Sequence, residues 1–167
     1  QPEEEKFFAA TEPSVLNAKT ATERKKKIGN LKNSNSTVWS KWEDYCELIL
    51  RSRHFIGTSG RFPLTSYGKT NLYSSFTELG LALVSSNGLL GLVLPTGIAT
   101  DEPNKYFMQA LFKRNLLVSL FDFENRQGLF PAVDSRMKFC LFTAGTGRAQ
   151  SAEHQDGDAA EFVFFAY

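Results

Sequence analysis

The chain has 167 residues, 42% of them hydrophobic, and a formal net charge of +1. This length predicts about one domain with a core of its own. The near-neutral charge argues against a small, strongly basic DNA-binding domain, so any nucleic-acid contact must come from local clusters. The two cysteines, Cys46 and Cys140, lack the C-x-x-C spacing of zinc and redox sites. The small number and spacing of the cysteines favour a reducing cytoplasm. The longest apolar stretch, residues 88–99, is too short to span a bilayer, so we expect no membrane partner.

Residues 1–56 are predicted to form a helical N-terminal segment. Four apolar residues recur at helical intervals: Val38, Trp42, Tyr45 and Ile49. The basic run ERKKK at 23–27 has two interpretations, a phosphate contact or a solvated helix face. Residues 57–68 are rich in Gly, Ser, Thr and Pro, and we expect a loop there between two architectures.

Residues 69–167 begin with a predicted helix and a predicted strand. The helix carries one apolar stripe: Leu72, Phe76, Leu79 and Leu83. We expect it to end near Asn87 and Gly88. The continuous apolar run 89–95 that follows is typical of a strand buried on both faces.

The remaining elements complete half of an α/β sheet. A helix is predicted over 103–115, with Phe107 and Leu111 on one side. Strands are predicted at 116–123, 138–144 and 161–167, and a polar loop at 145–160. The alternation of helices and strands predicts the α/β class.

Three segments carry a resemblance to a known family: GKTNLYSSF at 68–76, GLLGLVLPTGIATD at 88–101, and the run from Leu117 to Gly145 that contains ENRQGLFPAVDSRMKF. Together they resemble the C-terminal half of the catalytic domain of adenine-specific DNA methyltransferases. The resemblance points to restriction-modification enzymes in which methyltransferase and endonuclease share one polypeptide. The resemblance implies a partial Rossmann-like methyltransferase sheet with helices on its faces. It also implies DNA as a partner and S-adenosylmethionine as the cofactor of the parent enzyme.

Two family motifs do not occur in this sequence: the Gly-rich turn that binds S-adenosylmethionine and the Asn-Pro-Pro-aromatic motif that holds the adenine. The GTSG segment at 57–60 follows a helical pattern and is a poor cofactor loop. We therefore expect a downstream fragment that binds no cofactor itself and needs the remainder of the parent polypeptide. Such a half-sheet exposes an edge, so self-association is also expected.

The resemblance assigns the target-base stacking role to Phe130, in the stretch GLFPAVDSRMKFC at 128–140. Methylation of a base amino group requires the nucleotide to leave the duplex stack, and aromatic faces stabilise the extruded base. Pro131 would hold the turn rigid. The alternative is that Phe130 is a core side chain that covers the end of the sheet.

Three cations near this turn are candidate DNA contacts: Arg126, Arg136 and Lys138. Cations beside a base pocket hold the phosphates that flank the flipped nucleotide. The alternative is that they pair with carboxylates close in sequence, namely Asp122, Glu124 and Asp134.

The GKTNLY segment supplies the other candidates. Lys69 is a further DNA contact, and Asn71 and Tyr73 are candidates for a substrate groove. Structural roles are the alternative for all three, with Asn71 as a helix N-cap.

Neither a metal site nor a catalytic residue is predicted. Asp122 and Glu124 have the D-x-E spacing of some magnesium nucleases, but Arg126 stands where such sites usually have lysine. His54 and His154 lack partners at a recognisable spacing.

The sequence thus predicts a fragment of a DNA adenine methyltransferase that contributes one wall of the base pocket. The alternative, from another class, is a non-catalytic α/β interaction module or a degenerate scaffold remnant.

We expect the isolated chain to transfer no methyl group, because the cofactor loop and the Asn-Pro-Pro motif are missing. The measurement is incubation with radiolabelled S-adenosylmethionine and duplex DNA. A label incorporated into the DNA would show that both motifs are dispensable.

Overall fold

The computed structural model describes residues 2–145 and 159–164. The chain divides into two compact units between Phe55 and Ile56. The sequence places this boundary in a loop at 57–68, but a helix runs from Ser36 to Thr58. A single glycine such as Gly57 weakens a helix by only about 1 kcal/mol and need not end it. No helix in the described residues is long and apolar enough to cross a membrane.

The first unit consists of helices around an aromatic cluster. Its helices are α1 (Glu4–Thr11), α2 (Ala21–Ser34) and α3 (Ser36–Thr58), with a 3-10 turn at Pro13–Val15. Its buried side chains are Phe8, Val15, Ile28, Leu31 and Trp42. The ring of Phe7 stacks on that of Tyr45 with centroids 5.3 Å apart. The helices therefore share one apolar core.

The basic run 23–27 lies in the first half of α2, and two of its cations have carboxylate partners. Arg24 lies 3.2 Å from a carboxylate oxygen of Glu5, and Lys27 lies 3.4 Å from one of Glu23. Lys25 and Lys26 are exposed. This arrangement fits the solvated-face interpretation of the run.

The second unit is an α/β unit with a four-stranded mixed sheet. Its elements are α4 (Leu72–Leu83), β1 (Leu89–Pro95), α5 (Gly97–Thr100), α6 (Lys105–Lys113), β2 (Leu117–Glu124), β3 (Lys138–Gly145) and β4 (Glu161–Phe164). The strand order is β1-β3-β2-β4. Strand β3 is antiparallel to β1 and β2, whereas β4 is parallel to β2. The predicted loop 145–160 and the strand 161–167 lie partly outside the described residues, at 146–158 and 165–167.

The core of this unit lies between the helices and one face of the sheet. Its buried apolar residues include Leu94, Ile98, Phe107, Leu111, Leu120, Cys140 and Phe142. Phe107 and Leu111 lie on the buried side of α6, as their spacing predicts. Alternate residues of each strand point to opposite faces, so only half of each strand reaches this core.

The prediction that residues 89–95 are buried on both faces is wrong. Strand β1 is at the edge of the described sheet, and its burial alternates along the strand. Leu90, Leu92 and Leu94 point toward the helices, whereas Leu89 and Val93 are exposed. An apolar run does not by itself distinguish an edge strand from a central one.

Helix α4 also departs from its sequence pattern. Three residues of its apolar stripe, Leu72, Phe76 and Leu83, are exposed, whereas Ser74, Ser75 and Thr77 are buried. Small residues let the helix approach the sheet closely: a Cβ on Gly80 would lie 3.1 Å from the side chain of Leu90. The helix ends at Leu83, not near Asn87 and Gly88, because Val84 adopts extended backbone geometry.

Two matched substitutions test this orientation of α4. We expect Phe107→Ala to lower the free energy of unfolding by about 3–5 kcal/mol, because it empties a fully buried site. Phe76→Ala should cost less than about 1 kcal/mol, because that ring is 64% exposed. Urea unfolding of both variants measures the difference. If both variants lose the same free energy of unfolding, Phe76 and the apolar stripe of α4 lie in the core.

Candidate functional site

A cleft opens where the parallel strands β1 and β2 end. Its volume is about 420 Å³, and its lining residues are Asn71, Tyr73, Pro95, Thr96, Gly97, Thr100, Asp101, Asp122, Met137 and Lys138. Because β3 runs antiparallel, its first residue lies at this same end of the sheet. Open α/β sheets bind ligands outside the carboxyl ends of their parallel strands. We call this the strand-end cleft and treat it as a candidate ligand site.

A buried carboxylate forms one side of the strand-end cleft. Asp122 is only 4% exposed, and its Oδ1 accepts a hydrogen bond of 2.5 Å from the hydroxyl of Thr96. The ammonium of Lys138 lies 3.8 Å from Asp122 Oδ2 and 3.7 Å from Glu124 Oε1. A buried carboxylate is costly unless it is paired and hydrogen-bonded. Thr96 and Lys138 supply both kinds of stabilisation.

Other lining residues of the strand-end cleft, Tyr73, Gly97 and Asp101, belong to a short polar network. The hydroxyl of Tyr73 lies 3.4 Å from Asp101 Oδ2 and 3.4 Å from Asn104 Nδ2. Asn104 is buried and donates from Nδ2 to the carbonyl oxygen of Gly97 at 2.7 Å. A Cβ on Gly97 would lie 2.8 Å from the Tyr73 hydroxyl. Glycine is therefore the residue that this close approach permits.

Cys140 is a buried neighbour of Asp122, and its surroundings favour the protonated thiol. It is opposite Asp122 in the β2–β3 register and is fully buried. Burial, with a smaller contribution from the Asp122 carboxylate, raises the pKa of the Cys140 thiol to about 11. Thiolate is the reactive form, so at neutral pH this group acts as a small apolar side chain.

The aromatic turn (residues 128–133) follows β2 and is held by one buried side chain. Asn125 is 1% exposed, and its Nδ2 donates to the carbonyl oxygens of Phe130 and Val133, each at 3.0 Å. Its Oδ1 accepts from the Phe130 backbone N–H at 2.9 Å. Gly128 enters the turn at φ 68°, a left-handed conformation that favours glycine. The side chain of Asn125 thus holds both the backbone N–H and the carbonyl oxygen of Phe130.

The side chain of Phe130 lies at the surface and does not line the strand-end cleft. Its ring is edge-to-face with that of Phe139 at a centroid distance of 5.0 Å, and the residue is 37% exposed. Phe139 in turn stacks on Phe123 at 5.4 Å. Strand alternation places Phe139 on the face opposite to Lys138. Phe130 therefore belongs to the face of the sheet opposite to the cleft, where part of its ring is open.

The three predicted cations near the turn all have carboxylate partners. Arg126 pairs with Glu124, and Arg136 forms a two-pronged pair with Asp134, with nitrogen–oxygen distances of 3.0 and 2.7 Å. Lys138 lies between the carboxylates of Asp122 and Glu124. These contacts are the local pairing that the alternative interpretation predicts.

Of the three candidate residues in GKTNLY, two line the strand-end cleft and one does not. Asn71 and Tyr73 line the strand-end cleft, together with Lys138 from the other predicted group. Lys69 is exposed in the loop before α4. Asn71 occupies the N-cap position of α4, but its side chain makes no capping hydrogen bond, so the expected capping role is wrong.

Sequence reasoning missed Thr96 and Asn125, and it named Asp122 as a partner of the nearby cations but did not foresee its burial. No group of three potential metal-ligating side chains occurs in residues 2–145 and 159–164. An aspartate inside the apolar run LFDF was the available signal that a polar group faces a core. For Asn125 there was none, because asparagine is common in solvent-exposed turns.

No protein-family model, curated protein or solved structure matches the chain.

The role of Asn125 can be measured directly. We expect Asn125→Ala to lower the free energy of unfolding by about 2–4 kcal/mol, because three hydrogen bonds at a buried position are lost. Gln127→Ala, at an exposed position of the same 3-10 turn, should change it by less than about 0.5 kcal/mol. Urea unfolding provides both values. If the two variants are equally stable, Asn125 does not hold the turn.

Proposed function

We propose that this chain is the downstream part of the catalytic domain of a DNA adenine methyltransferase of the restriction-modification type. In this proposal Phe130 forms one wall of the pocket for the extruded base, and Pro131 stiffens the turn. The observation that carries the proposal is the aromatic turn itself. A buried asparagine fixes the backbone of Phe130 while more than a third of the residue stays exposed.

The energetic requirements of base flipping support this role for Phe130. Extrusion of a nucleotide costs a few kcal/mol, and stacking on one aromatic ring returns about 1–3 kcal/mol. A ring whose backbone is already fixed loses little conformational entropy when it binds. Phe139 supports the ring from behind, at 5.0 Å. A free surface loop would not offer this preorganisation.

The sheet supports a Rossmann-like assignment in part. Strands β1 and β2 are parallel, since both are antiparallel to β3, and they are connected through the helices α5 and α6. A βαβ connection of this kind is the unit of doubly wound sheets, although here the antiparallel β3 lies between the two parallel strands. In the proposed enzyme, the remaining strands and the other wall of the base pocket come from the parent polypeptide. One of those strands would pair with the edge of β1.

S-adenosylmethionine does not fit the residues that the structure describes. Its expected cradle is a Gly-rich turn between a strand and a helix. The GTSG segment instead includes the last two residues of α3, Gly57 and Thr58, and no strand precedes it. We therefore assign the cofactor to the parent enzyme, and this chain contributes the positioning of the base and of DNA.

The proposed DNA contacts differ in how readily their cations become available. Arg136 and Asp134 form a surface pair, and such pairs contribute about 0–1 kcal/mol, so exchange for a phosphate is easy. Lys69 is exposed. Lys138 lies between two carboxylates, one of them buried, and is the least available of these three cations.

A second candidate function, a non-catalytic interaction module, is favoured by the exposed apolar surface. Leu72, Phe76 and Leu83 protrude from α4, and Val93 and Leu141 protrude from neighbouring strands of the sheet. Exposed apolar patches of this kind mark surfaces that bind other proteins.

Stacking by Phe130 is testable with a single-stranded thymine oligonucleotide that carries one 2-aminopurine. We expect binding of the chain to change its fluorescence, because the emission of this base depends on the bases and rings that stack on it. Phe130→Ala should weaken binding about 5- to 150-fold, which corresponds to about 1–3 kcal/mol. Phe130→Trp should retain binding.

The matched control is Leu129→Ala, which removes an exposed apolar side chain from the adjacent position. It should leave the affinity unchanged. If Phe130→Ala binds as tightly as Leu129→Ala, the stacking role is wrong and the interaction module becomes the better account.

A further inference from the structure

Helix α4 carries two apolar stripes, and only one of them contacts the core. The inner stripe, with Tyr73 and Leu81, packs against the buried residues of the second unit. We call the outer stripe the α4 seam, and its residues are Leu72, Phe76, Leu79 and Leu83. Three of its four side chains are between 63% and 75% exposed, and Leu79 is half-buried. The α4 seam therefore lies on a side of the helix that the core does not cover.

The spacing of the α4 seam is that of a surface on which helices pair. Its intervals of four, three and four residues are those of the a and d positions in a coiled coil. In such packing, a side chain of one helix enters a hole between four side chains of the other. Those four stand at positions i, i+3, i+4 and i+7, which are neighbours on one helix face.

One hole of this kind is present on α4. It is an apolar groove of about 80 Å³, and four of its lining residues are Leu72, Ser75, Phe76 and Leu79. These residues occupy positions i, i+3, i+4 and i+7. Two further residues, from the end of α3 and the loop after it, complete the wall. An apolar cavity of about 150 Å³ holds benzene, so this smaller groove has room for one leucine side chain and not for a larger ligand.

The α4 seam is also self-complementary. Its intervals are the same from either end, so a second α4 that runs antiparallel matches it residue for residue. In this register Leu72 meets Leu83 of the second copy, and Phe76 meets Leu79 of the second copy. The leucine that meets Phe76 stands over the groove. A two-fold contact uses the same surface of both copies, so each of these pairs forms twice.

The charges of α4 favour a second copy as the partner. In coiled coils, charged residues beside the seam set the choice of partner, and the residues that flank the α4 seam are uncharged. The one charged residue in the sequence of α4 is Glu78. Its carboxylate accepts from the backbone N–H groups of Leu64 and Thr65 at 3.1 and 3.0 Å. Two copies therefore meet along α4 without repulsion between like charges.

We propose that the chain forms a two-fold dimer in which the α4 seams of two copies pack antiparallel. Leu79 of each copy fills the groove on the other. A helix of 12 residues gives a contact smaller than the roughly 800 Å² per partner of a standard interface. The dimer is therefore reversible, with a Kd in the micromolar range, and it dissociates in dilute solution.

This inference goes beyond the proposed function, because the dimer involves neither Phe130 nor DNA. It also differs from the self-association expected at an open sheet edge. The α4 seam leaves the edge of β1 free for a further strand. The two modes of association predict different effects of substitutions in α4 and in β1.

Sedimentation velocity over a range of concentrations measures the dimer without any variant. We expect the monomer in dilute solution and the dimer at high micromolar concentration. A chain that stays monomeric up to about 1 mM would overturn the proposal. The α4 seam would then belong to a different protein or to the remainder of the parent polypeptide.

Phe76→Lys tests the position of the contact. It places an ammonium in each half of the α4 seam, so the Kd should rise at least about tenfold. The residue is 64% exposed, and circular dichroism verifies that the helices remain. The matched control is Val93→Lys, which adds the same charge at an exposed apolar position of β1 and should leave the Kd unchanged. The proposal is wrong if Phe76→Lys leaves the dimer intact, or if Val93→Lys dissociates it equally.

A pair of opposite charges tests the antiparallel register. Leu72→Lys and Leu83→Glu should each raise the Kd about tenfold. The chain with both substitutions should dimerise about threefold more tightly than either single variant, because the introduced ammonium and carboxylate meet across the two-fold axis. In a parallel pair each introduced charge would meet its own copy. A double variant that dimerises more weakly than both single variants would therefore overturn the antiparallel arrangement.

Discussion

The antiparallel strand β3 hydrogen-bonds to both β1 and β2, and through these two ladders it fixes the side chains at their common end. The register places Cys140 opposite Asp122 and Lys138 opposite Glu124. The backbone N–H of Thr96 donates to the carbonyl oxygen of Lys138 at 3.3 Å, which extends the contact with β1 beyond the strand. A shift of one residue would turn Lys138 to the other face and bring Phe139 into the strand-end cleft. The geometry of the candidate site is thus a consequence of strand pairing.

This dependence on pairing explains which parts of the site the sequence could predict. Local patterns were sufficient for α6 and for β2 and β3, whose spacing and composition are decided within a few residues. The lysine beside Asp122 and Glu124 was sought two residues further on, where Arg126 stands. Lys138, already a predicted partner of the carboxylates close in sequence, reaches Asp122 and Glu124 through strand pairing. The register of β2 and β3, and not a spacing rule along the chain, decides that contact.

Besides strand pairing, the sequence did not reveal which apolar side chains of β1 and α4 are exposed. The apolar runs of β1 and α4 have the composition of core elements, yet Val93 and Phe76 are exposed. Burial depends on what lies beside an element, and one sequence does not contain that information. Both proposed functions require a cover for these side chains, either the remainder of a methyltransferase domain or a separate partner. The exposed surface alone therefore does not discriminate between them.

Local charge distinguishes the strand-end cleft from the aromatic turn. Asp101, Asp122 and Glu124 stand at or beside the cleft, against the ammonium of Lys138 and the guanidinium of Arg126, which pairs with Glu124. This excess of carboxylates repels phosphate and attracts groups that donate hydrogen bonds. A nucleic-acid strand could offer a base edge to the strand-end cleft only with its phosphates held away from it. Exposed cations for such phosphates lie elsewhere, at Lys69 and in the surface pair of Arg136. The two sides of the sheet end thus favour different contacts: an open aromatic ring for stacking near Phe130, and a buried carboxylate for a hydrogen-bond donor at Asp122.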